Sequence, residues 1–81
     1  MKLPRDISGR EFAEALGKLG YEVSHQTGSH IRLTTQSPSE HHVTVPDHPS
    51  LKVGTLNQLL RTVAAHAGVD RPTILRNLFD K

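Results

Sequence analysis

Three short runs of alternating apolar and polar residues constrain the fold of this chain more than any other feature. The runs are residues 21–26, 30–35 and 41–45, and only brief turns separate them. Alternation with a period of two is typical of a strand with one buried and one solvated face. Strands joined by such short connections pair antiparallel. We therefore predict a three-stranded antiparallel sheet with a polar face and an apolar face, the latter formed by Tyr21, Val23, Ile31, Leu33, Val43 and Val45.

The turn between the second and third strands predicts their register. We place the centre of this hairpin at Pro38, so that His30 lies opposite Pro46. The inward pairs are then Leu33 with Val43 and Ile31 with Val45. A slip of one residue would turn every side chain to the other face. In this register residues 28–30 and 46–48 meet in space, although they are distant in sequence.

A first helix is predicted ahead of the strands. Ser8-Gly9-Arg10-Glu11 has the sequence of a capping box, with Ile7 and Phe12 placed for a hydrophobic staple. Apolar side chains then recur at helical spacing over residues 9–19. Gly20 follows, where a glycine commonly ends a helix.

Two more helices are predicted after the strands. Thr55-Leu56-Asn57-Gln58 reads as a second capping box, and Gly68 ends the helix that follows. Asp70 is the expected cap of a short last helix that extends through Leu78.

On the first strand, Glu22, Ser24 and Gln26 are expected to share the polar face of the sheet.

These elements predict one fold class. The order is α-β-β-β-α with a short C-terminal helix, and the helices must cover the one apolar face of the sheet. We expect a two-layer α+β domain, and a chain of 81 residues predicts a single domain over residues 1–81.

Composition restricts the possible functions. The formal net charge of +2 is compatible with binding to a polyanion but does not require it. Only Phe12, Tyr21 and Phe79 are aromatic, too few for a platform that stacks bases. There is no cysteine, so no disulfide framework or thiolate metal site is expected. Residues 1–6 are polar and interrupted by proline, and we expect neither a signal peptide nor a membrane span.

Gly28-Ser29-His30 is the segment most suited to chemistry. A Gly-Ser turn ends in a histidine as a strand begins, which places the imidazole on rigid backbone beside a loop. Histidine has an unperturbed pKa of about 6.5, so both of its protonation states are accessible near neutral pH. His30 is therefore a candidate general acid or base, and a solvated strand histidine is the alternative.

The chain resembles a known family in several segments taken together. A chain of this order and size is similar to the double-stranded RNA-binding-domain fold. The helix-Gly-Tyr-strand opening, Gly28-Ser29-His30, and Val45-Pro46-Asp47-His48 with Leu51 and Gly54-Thr55-Leu56 resemble the HicA (YcfA-like) mRNA interferase toxins. The resemblance extends from Ser8 to about Phe79.

The resemblance implies a function, a partner and a catalytic residue. It implies a small toxin of a type II toxin–antitoxin pair that cleaves mRNA and is neutralised by a HicB-type antitoxin. We expect a cytoplasmic location, because the absence of cysteine fits a reducing cytosol, and we expect no cofactor. Its catalytic histidine falls at His30, and we expect the antitoxin to cover the sheet face that carries it. His48 is a possible second acid or base, or a loop histidine bonded to backbone.

RNA contact is expected mainly through phosphate groups. Arg32 shares the polar strand face with His30, and the start of the second helix offers free N–H groups and a positive dipole end. Ordinary helix capping and a solvated arginine are the corresponding alternatives. The expected RNA-binding residues are Gly28, Ser29, Arg32, Lys52, Gly54 and Thr55.

The number of histidines raises the question of a metal. The adjacent His41 and His42 leave opposite faces of a strand and cannot both bind one ion. His30, His42 and His48 could converge, but no spacing matches a zinc site, and we expect no metal. Two other functions stay open from the residues alone: an RNA-binding module without catalytic activity, and an adaptor that binds proteins.

Overall fold

The computed structural model describes residues 6–79 of the chain. Residues 1–5, which make up most of the polar start, and residues 80 and 81 lie outside the described part, so the predicted domain span 1–81 extends beyond it at both ends. The elements in chain order are α1 (Gly9–Gly17), β1 (Glu22–Gln26), β2 (His30–Thr35), β3 (His41–Pro46), α2 (Val53–Ala67) and α3 (Arg71–Phe79). The predicted α-β-β-β-α order with a short C-terminal helix is confirmed.

The sheet has the order β1-β2-β3, and both strand pairs are antiparallel. The register between β2 and β3 is the predicted one, with His30 opposite Pro46. The inward pairs, Leu33 with Val43 and Ile31 with Val45, are buried beneath the helices. This two-layer arrangement is the predicted α+β architecture. The side chains of the core with the lowest exposure include Phe12, Leu16, Leu33, Val45, Leu60, Val63, Ile74 and Leu78.

Strand β1 departs from the predicted alternation because its pairing with β2 contains a β-bulge between Val23 and His25. The extra residue, Ser24, shifts the strand, so that Gln26 pairs with the inward-facing Ile31. The prediction that Gln26 shares the polar face with Ser24 is therefore wrong. A bulge reverses the side on which all later residues of the strand lie.

Val23 is a second correction on this strand. It pairs with Leu33 and so lies on the expected side of the sheet, but it is 55% exposed and is not part of the core. β1 is an edge strand, and Val23 borders an open cavity of about 210 Å³ together with Ala13 and Ile31. Arg10, Ala13 and Glu14 of α1 line the same cavity, so the helix borders Val23 there without burying it.

The predicted capping box of α1 is confirmed. The Ser8 side chain accepts a hydrogen bond from the Glu11 N–H at 3.0 Å, and the Glu11 carboxylate accepts one from the Ser8 N–H at 3.0 Å. The helix ends at Gly17, two residues earlier than predicted, and a turn follows. Gly20 ends this turn with a φ of +90°, a conformation that favours glycine.

The predicted capping box of α2 is wrong. The helix begins at Val53, and its N-cap is Lys52, which makes no side-chain capping hydrogen bond. Thr55 is thus already in the first turn and cannot act as the cap. The C-terminal predictions are correct: Gly68 ends α2 with a φ of +72°, and the Asp70 carboxylate accepts a hydrogen bond from the Thr73 N–H at 3.0 Å. Within residues 6–79, no helix combines the length and apolar character needed to cross a membrane.

Candidate active site

The turn of residues 27–29 holds the backbone of His30 on both sides. The Thr27 N–H donates to the His30 carbonyl oxygen at 3.0 Å, and the Thr27 hydroxyl accepts from the His30 N–H at 3.2 Å. His30 is also the first residue of β2 and pairs with Pro46. The side chain is exposed, so the site has an accessible imidazole on a backbone with little freedom.

The ring of His30 is oriented by its neighbour in sequence. The Ser29 Oγ lies 3.0 Å from Nδ1 of His30. A hydroxyl can accept from a protonated Nδ1 or donate to an unprotonated one. In either case Nδ1 is engaged, and Nε2 is the nitrogen that remains for a substrate.

The end of β3 reaches this turn, as the register predicted. The Asp47 N–H donates to the Ser29 carbonyl oxygen at 2.9 Å, which extends the pairing one residue beyond Pro46. The partly buried Asp47 carboxylate accepts a hydrogen bond from Nε of Arg10 at 3.4 Å. Residues 28–30 and 46–47 are therefore in contact.

The loop after β3 is attached to the start of α1. The Gly9 N–H donates to the His48 carbonyl oxygen at 2.9 Å, and the Leu51 N–H donates to the Ile7 carbonyl oxygen at 2.8 Å. A side chain at Gly9 would overlap the Pro46 carbonyl. His48 thus has a structural contact through its backbone, while its side chain is exposed.

The outer face of the sheet is polar and open beside His30. Arg32 is exposed on this face, two residues along β2 from His30, and it lies between Thr44 of β3 and His25 of β1. His25 is the residue that sequence reasoning missed at this site. Regular alternation puts it on the inner side, and the bulge brings it to the outer face. No glycine or proline in residues 22–26 signals the bulge.

Among the described residues, no side chain makes a capping hydrogen bond at the start of α2. Because no side chain caps this helix, the first N–H groups, which include those of Gly54 and Thr55, keep the positive end of the helix dipole without a capping oxygen. Lys52 is exposed at the N-cap position. The loop of residues 47–51 joins this helix start to the end of β3, where Asp47 is bonded to Ser29 beside His30.

Three other histidines are engaged in contacts at the far end of β2 and β3. Nδ1 of His41 lies 2.8 Å from the Tyr21 hydroxyl, and its ring stacks on that of His66 with centroids 4.2 Å apart. Burial, and then the imidazoles of His66 and His42, lower the pKa of His41, and burial raises the pKa of Tyr21. His42 lies 2.8 Å from the Thr34 hydroxyl and 3.0 Å from the Glu40 carboxylate. Across residues 6–79, no group of three or more histidine, aspartate or glutamate side chains is arranged to hold a metal ion.

The fold and the site define a small two-layer α-β-β-β-α protein with an exposed histidine at the edge of an open polar sheet face. The family model described as HicA toxin of bacterial toxin-antitoxin matches residues 9–65, from the start of α1 into the last turns of α2. The match covers more than half of the chain, and the chain belongs to the HicA toxin family. Its role is that of a toxin, and family membership implies an antitoxin partner. Comparison with curated proteins and with solved structures gives no match.

Proposed function

We propose that this toxin is an endoribonuclease of the mRNA interferase type, with His30 as its catalytic acid–base group. The observation that carries the proposal is the setting of His30: its backbone is bonded on both sides to Thr27, Ser29 occupies Nδ1, and the side chain is exposed. Membership in the HicA family supports the proposal. The family resemblance implies RNA cleavage and a catalytic histidine at this position.

In the proposed reaction, a 2′-hydroxyl of the RNA attacks the neighbouring phosphate of the same strand. Nε2 of His30 accepts the proton of a ribose 2′-hydroxyl, whose oxygen then attacks the adjacent phosphorus. The bond from phosphorus to the 5′-oxygen breaks, and that oxygen takes up a proton from a second acid–base group or from water, which leaves a 2′,3′-cyclic phosphate and a 5′-hydroxyl. A positioned acid–base group contributes roughly 10²–10⁴-fold to such a reaction. Arg32, on the same face, balances the charge of the scissile phosphate.

RNA is held mainly through its backbone. The uncapped start of α2, with Lys52, Gly54 and Thr55, offers N–H groups and positive charge to a phosphate. Gly28 and Ser29 lie beside the reacting phosphate through their position next to His30. Contacts of this kind orient the RNA and carry little sequence information.

Replacement of His30 by alanine tests the catalytic role. Purified His30→Ala should cleave RNA at least about 10²-fold more slowly than the wild type. Its thermal midpoint should be unchanged, because the side chain is exposed and its ring nitrogen is hydrogen-bonded to the adjacent Ser29. His42→Ala is the matched control, since it removes another exposed imidazole from the sheet. A folded His30→Ala protein with the wild-type rate would refute the proposal, and RNA binding without cleavage in the wild type would favour a non-catalytic module.

The same assay tests the absence of a metal requirement. The described residues offer no metal-binding cluster, so cleavage in excess chelator should proceed at the normal rate. The 3′ ends of the products should carry 2′,3′-cyclic phosphate. Activity that returns only with an added divalent ion, or products with 3′-hydroxyl ends, would contradict this mechanism.

The antitoxin, which we propose to be of the HicB type, acts by covering the His30 face. The outer face around His30 is open, and Arg32 gives it positive charge. A partner that is acidic at this face would associate quickly, since complementary charge speeds encounter. A stable complex buries at least about 1,200 Å² in total, enough to cover the turn and the adjoining loop.

Hydrogen exchange with and without the antitoxin tests this masking. Protection should appear in residues 27–32 and 47–55. Protection limited to α3, in a complex in which RNA still reaches His30, would show that the antitoxin acts from a distance.

A further inference from the structure

The β-bulge in β1 changes which residues share the outer face with His30. His25 pairs with Arg32, and the next residue, Gln26, pairs with the buried Ile31. Residues that pair across two strands project from the same face of a sheet. His25 therefore lies on the outer face with Arg32 and His30, and its side chain is exposed.

Side-chain hydrogen bonds hold the bulge. The Ser24 hydroxyl donates to the Arg32 carbonyl oxygen at 3.3 Å and accepts from the Thr34 hydroxyl at 2.9 Å. The irregular position is thus tied to two residues of β2. Bulges occur often beside active sites, where they redirect a side chain.

The spacing of the two histidines suits a single phosphate. His25 is directly opposite Arg32, and His30 lies two residues from Arg32 on the same strand. Such diagonal neighbours are roughly 7–8 Å apart, within reach of two long side chains. A phosphate above Arg32 would have one imidazole on each side. Glu22 is the acidic residue of β1 on this face, since it pairs with Thr34.

We propose that His25 is a second catalytic residue, the general acid that protonates the leaving 5′-oxygen. This inference rests on the proposed ribonuclease function. His30 takes the proton of the 2′-hydroxyl as the bond from the 2′-oxygen to phosphorus forms. The bond from phosphorus to the 5′-oxygen then breaks, its electron pair goes to that oxygen, and the His25 imidazolium supplies the proton. Exchange with water afterwards returns both imidazoles to their starting states.

His48 is the competing candidate for this acid. His48 lies in the loop two residues beyond the end of β3, and its carbonyl oxygen accepts a hydrogen bond from the Gly9 N–H. That position is fixed by the attachment of the loop to α1. The position of His25 is fixed by pairing with the strand that carries both His30 and Arg32.

A substrate that needs no acid tests the assignment. An RNA oligonucleotide is made with sulfur in place of the bridging 5′-oxygen at a mapped wild-type cleavage position, beside an ordinary oligonucleotide. The sulfur departs as a thiolate and requires no proton. His25→Gln and His25→Ala should cleave the ordinary RNA about 10²-fold or more slowly, yet cleave the sulfur-containing RNA within a few-fold of wild type. His30→Ala should be slow on both.

Each other outcome has a distinct meaning. If both His25 variants cleave ordinary RNA at the wild-type rate, or slow both substrates equally, His25 is not the acid, and the proposed function stands as long as His30→Ala is inactive. If His48→Ala is the variant that sulfur rescues, His48 is the acid and the inference is wrong. If His30→Ala is fully active, the proposed function itself fails.

Discussion

The two ends of the β2–β3 hairpin carry histidines in opposite situations. At one end, the side chain of His30 is exposed, and Nδ1 lies within hydrogen-bond distance of the adjacent Ser29 hydroxyl. At the other end, His41 is partly buried, bonded to Tyr21 and stacked on His66 with an angle of 11° between the rings. Nε2 of His66 in turn lies 3.1 Å from the Ser39 carbonyl oxygen.

The difference shows how one residue type serves two purposes in a small domain. The contacts of His41 join the start of β3 to Tyr21, which precedes β1, and to His66 in the C-terminal part of α2. His66 in turn contacts the loop before β3. A ring with these contacts acts as a structural connection between elements. Within residues 6–79, the His30 ring shows no such stacking or cross-strand hydrogen bond, and its nitrogen Nε2 can meet a substrate without disturbing the fold.

The largest expected contrast is between His30→Ala and His41→Ala. His41→Ala removes the stacked ring and leaves the buried Tyr21 hydroxyl without this partner, which should cost on the order of 1–2 kcal/mol. For a domain of this size, each kcal/mol lowers the thermal midpoint by roughly 4–8 °C. Cleavage by the folded fraction should be unchanged, the reverse of what we expect for His30→Ala. An unchanged midpoint in thermal unfolding monitored by circular dichroism would mean that the His41 contacts add no stability.

A smaller difference between His41 and His30 is expected in how low pH affects the stability of the fold. The pKa of His41 in the folded state lies below the ordinary value of 6.5, because of burial first and then the nearby His66 and His42 imidazoles. The unfolded chain therefore binds this proton more readily, and stability should be intact above about pH 6.5 and fall as the pH drops below it. Hydrogen bonds from Thr73 keep the pKa of Asp70 below 3.8, so the contribution of Asp70 is lost only at lower pH.

Denaturant unfolding between pH 7.5 and 5 measures this effect. The free energy of unfolding of the wild type should decline over that interval, and that of His41→Gln should decline less. Equal slopes for the two proteins would show that other groups cause the acid sensitivity. His30→Gln is the control at the exposed end of the hairpin.

The smallest expected effect concerns the charges around the exposed end. Arg32→Ala and Lys52→Ala should each reduce the dependence of the logarithm of RNA affinity on the logarithm of salt concentration by about one unit or slightly less. Arg76→Ala, which removes an exposed charge from α3, is the matched control and should leave the slope unchanged. If all three variants keep the wild-type dependence of RNA affinity on salt concentration, Arg32 and Lys52 do not contact phosphates.

Sequence reasoning succeeded where a structure depends on neighbouring residues or on a clear pattern. The Ser8–Glu11 capping box is local, and the register that sets His30 opposite Pro46 follows from the alternation of β2 and β3 together with the hairpin centre at Pro38. This register correctly brought residues 28–30 and 46–47 together. The family resemblance then supplied the expected role of His30.

The errors arose where distant contacts decide. The chain before α2 is held by the hydrogen bond from the Leu51 N–H to the Ile7 carbonyl oxygen. The helix then begins at Val53, two residues before Thr55, which the sequence suggested as the cap. The bulge at Ser24 depends on bonds to β2, and the surrounding residues have ordinary strand composition. Because the sequence around Ser24 does not indicate a bulge, the position of His25 on the outer face could not be predicted.

The close packing at Gly9 limits the substitutions that this position can accept during evolution. A Cβ at this position would overlap the Pro46 carbonyl and approach the Cα of Asp47, and these atoms are backbone and cannot rotate away. An added Cβ at Gly28 or Gly54 would meet no atom within 4 Å. In a library of all single substitutions selected for toxicity, position 9 should accept glycine alone, because any other residue separates α1 from the loop that completes the site. Gly9, which the sequence places only in the capping box of the first helix, would then be among the least replaceable residues of the chain.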